Sequence, residues 1–310
     1  MKAKRVGYYF SSLVLVLGLV TTKFCYADDL LQNYGWIHGS EKCKTNTDPA
    51  IEVLEYNPSI YILRENKCLS YEAPFIYVLI GEQSILLLDT GTTSDAAKIP
   101  LYNTIQKIID QPKVAELPVI VAHTHGHLDH ISGDEQFASD SRFHVITPNN
   151  EEFKNYFNLS NWPNETSTFN LGNRELTIIP TPGHHKESIA IYDKNTQWLL
   201  TGDTLYPGKI YIKDWQAYSN SIQRLANFTQ QNPTSLLLGS HIEISKNGKI
   251  YKLGNHHQPN EASLVLTTKD LQNLNKQLKQ TKGKPKKLEL EKFTVAPISA
   301  LQRLLSNILS

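Results

Sequence analysis

The amino-acid sequence predicts an α/β domain built from buried sheets and covering helices. The unbroken apolar runs Ile85–Leu88 and Leu236–Leu238 are typical of strands that are buried on both faces. Between such runs, Leu101, Ile105 and Ile108 recur at the spacing of one helix face. The 310 residues are enough for one large domain or two small ones, each with its own core.

The predicted elements begin after an irregular polar segment at residues 28–58. Short apolar or β-branched runs predict strands at Ser59–Arg64, Phe75–Gly81, Ser84–Asp89, Pro118–Ala122, Phe143–Thr147, Glu175–Pro180, Ser188–Asp193, Gln197–Thr201 and Ser235–Leu238. Lys194 and Asn195 provide the turn of a hairpin between two of these strands. An apolar stripe at helical spacing runs from Trp215 to Phe228.

The C-terminal part is predicted to be an extension, residues 256–310, that packs on a main domain at 59–255. It contains a predicted helix at 261–281, a strand at 288–296 and a short helix at 300–309. The apolar side of the first helix carries Leu264, Leu271, Leu274 and Leu278. We therefore expect a mainly helical appendage.

The N-terminus has the pattern of a secretory signal peptide at residues 1–27. Basic residues come first, the apolar run 13–20 follows, and small residues stand at the two cleavage-relevant positions, Cys25 and Ala27. The apolar run is too short to cross a bilayer comfortably. We expect cleavage before Asp28 and a periplasmic or secreted protein with no stable membrane span.

The charge balance argues against nucleic-acid partners. The chain has 31 basic and 30 acidic residues, and four of the basic ones but no acid lie in residues 1–27. Cleavage thus leaves 27 basic residues against 30 acidic ones, a formal charge of −3. A slightly acidic protein does not attract a polyanion, so we expect a small-molecule substrate. The basic cluster 282–287 is interpreted as a solvated loop. The sequence does not indicate the oligomeric state.

Two cysteines remain after the predicted cleavage, Cys43 and Cys68. In an exported protein such a pair favours a disulfide, which would tie the N-terminal segment to the strand region near Tyr61. Two free thiols are the alternative. Neither cysteine has metal-ligand spacing to the histidines.

The segment that follows the run 118–122 is the strongest chemical signal in the sequence. His125 and His127 are two residues apart, so in an extended or turning backbone they point the same way and can share one metal. Asp129 and His130 follow where the chain turns, and they can reach a second metal nearby. The alternative interpretation is a solvated, histidine-rich loop.

Three later strands also end in a small residue followed by a metal-ligand residue. His184 follows the strand Ile178–Pro180, Asp203 follows Trp198–Leu200, and His241 follows Leu236–Leu238. Open sheets place ligands at strand ends, and glycine there lets the backbone turn and approach closely. His123, on the strand side of the first motif, and His185, beside His184, are interpreted as neighbours of the site rather than ligands.

Together these motifs resemble the metallo-β-lactamase superfamily over roughly residues 59–255. The turn Asp89-Thr90-Gly91 and the stretch Asp129–Gly133 match as well. The resemblance implies a four-layer αββα sandwich with a dinuclear metal site at its upper edge. It implies that His125, His127 and His184 hold the first metal, that Asp129, His130 and His241 hold the second, and that Asp203 bridges them.

The resemblance further implies a hydrolase. A donor set of nitrogen and oxygen without thiolate favours two Zn²⁺ ions, with iron and manganese left open. A bridging hydroxide, formed because bound zinc lowers the pKa of water to about 7, would attack an acyl carbon. Asp129 would orient this nucleophile and pass its proton to the leaving group, which makes Asp129 the predicted catalytic residue.

Asp203 guides the prediction of the bond that is cut. Antibiotic-hydrolysing members of the family generally have a thiolate or hydroxyl at this place, whereas thioesterases and lactonases have the carboxylate. We therefore predict an ester, thioester or lactone as substrate, with β-lactam amides as the alternative. The glyoxalase II type is disfavoured, because its glutathione-binding basic residues cannot be identified in the C-terminal part. A metal-binding interaction protein without turnover is the remaining alternative.

Overall fold

A computed structural model of the chain describes residues 29–148 and 151–299. The predicted signal peptide and the predicted helix at 300–309 lie outside these residues. Within the described ranges, no helix has both the length and the apolar composition needed to cross a membrane.

The first sheet has six strands, of which the last three are parallel and the first four form an antiparallel meander. Its strands, in spatial order, are β1 Ile51–Asn57, β2 Ile60–Glu65, β3 Phe75–Ile80, β4 Ile85–Leu88, β5 Val119–Ala122 and β6 Phe143–Val145. Because β4 and β5 run parallel, both deliver the chain to the same edge of the sheet.

The second sheet also has six strands, in the spatial order β13-β12-β10-β9-β8-β7. Their bounds are β7 Ser167–Asn170, β8 Glu175–Pro180, β9 Ile189–Asp193, β10 Trp198–Gly202, β12 Leu236–Gly239 and β13 Val265–Leu266. β10 and β12 are parallel, so these two also end at one edge. A small third sheet joins β11 Lys209–Ile212 to β14 Leu288–Glu289 and β15 Thr294–Pro297.

The helices between and after the strands are α1 Leu101–Ile109, α2 Leu128–Ile131, α3 Glu151–Tyr156, α4 Trp215–Gln231 and α5 Thr268–Gln280. A helical turn also occupies residues 29–33, and short 3₁₀ helices occupy Cys43–Thr45 and Asp134–Phe137.

Three buried apolar clusters define the layers. The largest lies between the two sheets and contains Leu86 and Leu200. A second packs α4 and α5 on the outer face of the second sheet. The third packs α1 on the outer face of the first sheet, with Ile85 and Leu87 beneath it. Alternate residues of one apolar strand thus face two different layers, which explains the unbroken runs. The predicted αββα sandwich is confirmed.

The prediction of an irregular segment at residues 28–58 is wrong for its last part. Residues Ile51–Asn57 form β1, which pairs with β2 at the edge of the first sheet. Its alternation of half-buried and exposed positions includes Glu52 and Glu55, and such polar content hides an edge strand. The short strands β7 and β11 were not predicted either.

The predicted helix at 261–281 is too long at its start. α5 begins at Thr268 because Thr267 caps it: the Thr267 hydroxyl accepts from the Asp270 N–H, and the Asp270 carboxylate accepts from the Thr267 N–H. Leu264 therefore lies outside the helix, and its side chain packs in the cluster between the sheets.

The predicted strand at 288–296 is a hairpin of two strands, β14 and β15. β15 pairs in parallel with β11, which follows Asp203 in the chain. α5 packs against α4 in the outer helical layer. Backbone hydrogen bonds between β15 and β11 thus attach the C-terminal extension to the main domain.

Candidate metal centre

The predicted donors follow strands from both sheets. His125, His127, Asp129 and His130 follow β5, His184 follows β8, Asp203 follows β10 and His241 follows β12. Two glycines let these loops meet. A Cβ at Gly202 would lie 2.6 Å from the Thr124 Cβ, and one at Gly183 would lie 2.5 Å from the Tyr218 Cα; both glycines have positive φ.

The donor atoms form two groups, within each of which they lie within 4.8 Å of one another. The first group is His125, His127 and His184. In it, Nδ1 of His127 lies 2.9 Å from Nε2 of His125 and 3.0 Å from Nε2 of His184. Three ring nitrogens therefore face one point.

The second group contains two carboxylates and two imidazoles: Asp129, His130, Asp203 and His241. Oδ2 of Asp129 lies 3.3 Å from Nε2 of both His130 and His241. The structure thus brings together all seven side chains that the sequence analysis singled out as metal ligands.

Asp203 faces both groups. Its Oδ2 lies 3.6 Å from Nε2 of His184 and 4.0 Å from Nε2 of His125 in the first group. Its Oδ1 lies 3.6 Å from Nε2 of His130 and 3.4 Å from Nε2 of His241 in the second. One carboxylate can therefore bind to both groups at once.

Outer hydrogen bonds orient three of the histidines. Nδ1 of His130 lies 2.9 Å from Oδ2 of Asp89, Nδ1 of His184 lies 2.8 Å from the Tyr211 carbonyl, and Nδ1 of His241 lies 3.1 Å from the Glu72 carbonyl. An acceptor at Nδ1 favours the tautomer with its proton there and leaves the Nε2 lone pair for a metal.

Burial keeps two histidines of the first group uncharged. Burial, together with the neighbouring His184, lowers the pKa of His127 to about 3. Burial, together with the nearby imidazoles, also holds the pKa of His125 well below its usual value. Neutral imidazole is the form that binds metal, so protons do not compete for these nitrogens.

The second group is charged. Burial by itself would lower the pKa of His241, but the Asp203 and Asp129 carboxylates outweigh burial and raise it to about 9. Burial likewise opposes protonation of His130, whose pKa is nevertheless raised well above its usual value by Asp129, Asp89 and Asp203. In return, the imidazoles hold the pKa of Asp129 well below its usual range in spite of burial.

These donors fit a pair of divalent cations. Nε2 of His130 and Oδ1 of Asp203 are buried and make no hydrogen bond among the described residues. Buried polar atoms rarely lack a partner, and both atoms face the interior of the second group. In the first group, Nδ1 of His127 lies within 3.0 Å of a ring nitrogen of each of the other two histidines. A cation in each group would satisfy these lone pairs.

The other predicted site residues are also located. Cys43 and Cys68 form a disulfide with an S–S distance of 2.12 Å. His123 is buried outside both groups, and its Nε2 lies 3.2 Å from Oδ2 of Asp134. The His185 ring lies 5.0 Å from the His127 ring but does not join the donor groups.

Sequence reasoning missed the partners that orient the ligands. The turn at Asp89 was noticed only as a family motif, and its carboxylate accepts from the Thr124 N–H at 2.7 Å as well as facing His130. The carbonyls of Glu72 and Tyr211 gave no sequence signal, because every residue carries a carbonyl.

The chain is similar in sequence to known proteins. The sequence model of the metallo-beta-lactamase superfamily matches residues 72–274. Acyl-coenzyme A thioesterase MBLAC2 from Gallus gallus is 24% identical over 246 residues, which cover 67% of this chain and 87% of that protein. The Homo sapiens protein of the same name is 23% identical over 218 residues, covering 59% and 77%.

More distant similarity extends to two further proteins. A hydroxyacylglutathione hydrolase from Brucella anthropi is 31% identical over 105 residues, which cover 33% of this chain and 40% of that protein. The solved structure of a metallo-beta-lactamase from Pontibacter korlensis covers 74% of this chain and 99% of its own, with 18% identity and a TM-score of 0.49.

Proposed function

This chain belongs to the metallo-β-lactamase superfamily, and from its site we propose that it hydrolyses acyl bonds of a small molecule. Among thioesters, esters and lactones, a thioester is our first choice. The observation that carries the proposal is the position of Asp203, whose two oxygens face the two donor groups. A shared carboxylate is what a dinuclear hydrolytic centre requires, and a structural ion pair would not need five histidines around it.

We propose two divalent metals, with zinc as the favoured ion because the donors are imidazole and carboxylate without thiolate. A bound metal of this kind lowers the pKa of a coordinated water to about 7 and polarises a carbonyl oxygen. His125, His127 and His184 would hold the first ion. Asp129, His130 and His241 would hold the second, with Asp203 between them.

Asp129 is the proposed proton carrier. Its side chain is 20% exposed, whereas that of Asp203 is 8% exposed, so Asp129 is the more accessible of the two carboxylates. His130 and His241 keep its carboxylate ionised and therefore able to accept a proton. Asp129 can thus take a proton from the attacking water and release it to the departing thiol or alcohol.

The substrate class is supported by the names of the relatives. The alignment with the Gallus gallus protein covers 87% of that protein, which by its name is a thioesterase acting on acyl-coenzyme A. The Brucella anthropi protein, matched over 40% of its length, is by its name a hydrolase of hydroxyacylglutathione. Both names describe the hydrolysis of an acyl group carried by a small molecule. β-Lactam amides remain the alternative substrate.

We also propose that the protein is exported and acts in the periplasm or outside the cell. The basic and apolar N-terminal pattern of residues 1–27 supports this proposal. So does the disulfide between Cys43 and Cys68, since disulfides persist mainly in oxidising compartments.

The test is metal analysis of the purified protein followed by a substrate panel of thioesters, esters, lactones and β-lactams. We expect two metal equivalents and the highest kcat/KM for a thioester. Two bound metals with no hydrolysis of any panel member would instead indicate a metal-binding interaction protein. A preference for β-lactams would overturn the acyl assignment. N-terminal sequencing of the protein secreted by a host bacterium tests the cleavage before Asp28.

A further inference from the structure

Two leucines among the described residues expose most of their side chains. Among the described residues, the exposed large apolar side chains are Leu30, Val53, Tyr71, Leu128 and Leu253. Leu128 is 74% exposed and Leu253 is 72% exposed. An exposed leucine is common in itself, so the argument depends on where these side chains lie.

Leu128 lies within the ligand motif. It is the first residue of α2, between His127 of the first donor group and Asp129 of the second. Its two neighbours direct their side chains into the metal centre, while its own side chain extends into solvent. A substrate that reaches the metals therefore passes close to Leu128.

Tyr71 and Leu253 lie on a surface cleft that also includes Tyr211. This cleft adjoins one ligand of each donor group. The Tyr211 carbonyl bonds with His184, and the carbonyl of Glu72, the residue after Tyr71, bonds with His241. The cleft is thus lined by Tyr211, whose carbonyl orients His184, and by Tyr71, which directly precedes the residue that orients His241.

The cleft is amphiphilic. Lys209 and Lys252 line it together with the tyrosines and Leu253. Its carboxylate, Glu243, already accepts from the Lys209 N–H at 3.0 Å. Aromatic and aliphatic surface beside two ammonium groups suits a molecule that has both a hydrocarbon chain and a polar or anionic part.

We propose that Leu128, Tyr71 and Leu253 bind the hydrocarbon chain of the acyl group, so that the enzyme selects thioesters of fatty acids over those of short acids. This inference rests on the proposed function and adds the part of the substrate that is recognised. The chain lies over Leu128 and extends toward the cleft while the thioester carbon is at the metals. Water then leaves both the chain and the three side chains.

The expected signature is a dependence on chain length. Each methylene that is buried on binding strengthens binding about two- to fourfold, until the apolar surface is covered. We therefore expect kcat/KM to rise from acetyl through hexanoyl to dodecanoyl thioesters of one common thiol. An acyl group bound only at its carbonyl would show no such rise.

Two variants test the residues, and a third is the matched control. Leu128→Ser and Leu253→Ser remove exposed apolar surface beside the metals. Val53→Ser removes a comparable exposed side chain on β1, the edge strand four positions from β5 in the first sheet. We expect each of the first two to reduce the ratio of dodecanoyl to acetyl kcat/KM about tenfold, and Val53→Ser to leave this ratio unchanged. All four proteins are compared at equal metal content.

Binding of dodecanoate, measured by calorimetry, gives a readout that does not depend on turnover. We expect the Leu128 and Leu253 variants to bind it about tenfold more weakly than the wild type and the Val53 variant. Hydrolysis of thioesters with no chain-length preference, or with one that neither variant changes, overturns the inference and leaves the proposed function standing. If no acyl compound is hydrolysed, the proposed function fails, and dodecanoate binding alone decides the inference.

A membrane surface is the other apolar partner that such side chains could contact. Sedimentation with phosphatidylcholine vesicles separates the two cases. Vesicle binding that Leu128→Ser and Leu253→Ser abolish, together with an unchanged chain-length preference, would assign these residues to lipid contact and overturn the inference.

Discussion

The two donor groups at this edge use different electrostatics although they share Asp203. In the first group, burial lowers the pKa values of His125 and His127. The second pairs imidazoles with carboxylates, which raise the pKa of His241 to about 9. Neutral His125 and His127 offer their lone pairs to a metal without losing protons, whereas the imidazoles of the second group must release protons first. Metal loading of the second group should therefore depend on pH.

Removing the carboxylate that the two groups share should weaken metal binding in both of them. Asp203→Asn takes away a charged oxygen that faces each group, so we expect the loss of tightly bound metal from both. Activity should fall by more than about 100-fold, because the 10- to 100-fold effect of an outer partner is the lower bound for a direct ligand. Metal content after dialysis is the measurement. Two equivalents retained at wild-type affinity would contradict the bridging role.

Asp129→Asn should affect the second group and leave metal binding in the first group intact. Its carboxylate faces only His130 and His241, so the first group should keep its metal. Loss of a proton carrier lowers kcat by about 100-fold or more. Stopped-flow kinetics beside metal analysis distinguishes slow chemistry from metal loss. Wild-type turnover in the variant with full metal content would remove Asp129 from the proton path.

Asp89→Asn should weaken metal binding in the second group only, and the effect should be smaller than that of removing a ligand. Asp89 orients His130 through Nδ1, and loss of such a partner lowers metal affinity by about 10- to 100-fold. Asparagine tolerates the φ of 71° at this position, so the backbone turn should survive. Asp134→Asn is the control, since Asp134 faces His123, which is in neither group. Competition with a chelator measures both; equal affinities in the two variants would argue against an orienting role for Asp89.

The second group also has a buried neighbour that makes stability depend on pH. Burial raises the pKa of Glu65 from 4.5 to about 7, although Thr92 donates to the carboxylate from its N–H and its hydroxyl. The folded protein therefore binds this proton more tightly than the unfolded chain does. Between pH of about 4.5 and 7, folding stability should fall as pH rises, and above that range the loss is complete.

Glu65→Gln should remove this penalty. We expect the stability advantage of the variant over wild type, measured as the free energy of unfolding, to grow by up to about 3 kcal/mol from pH 5 to pH 8. This is the free energy that corresponds to a pKa shift of this size. Urea unfolding of both proteins at the two pH values measures the difference. Glu55→Gln, at an exposed position of β1, controls for loss of surface charge. A gain that is the same at both pH values would show that ionisation of Glu65 is not its cause.

The sequence reveals the metal ligands more readily than their supports. His125, His127, Asp129 and His130 are identifiable because ligand chemistry resides in side chains at fixed spacing. The layer order also follows from apolar runs whose alternate residues face two layers. The carbonyl that orients His241 could not be predicted, since only the folded backbone brings Glu72 to it.

Tertiary context explains the errors in the predicted elements. Leu264 continues the apolar spacing of α5, yet the N-cap at Thr267 makes the helix begin after it. β1 alternates exposed with half-buried positions because it is an edge strand with one face in water, and it carries Glu52 and Glu55 among its apolar residues. The local sequence pattern cannot show that Leu264 lies outside the helix or that β1 is an edge strand, because the residues that decide both are distant in the chain.

The covalent link between Cys43 and Cys68 has a consequence for how the protein is made. Cys68 lies in the same loop as Lys67, whose ammonium donates to the Tyr71 carbonyl, and the next carbonyl along the chain orients His241. This loop is therefore tethered at one end by sulfur and at the other by an imidazole. Protein produced under reducing conditions would enter metal loading with that tether open, so oxidative maturation should precede assembly of the complete centre.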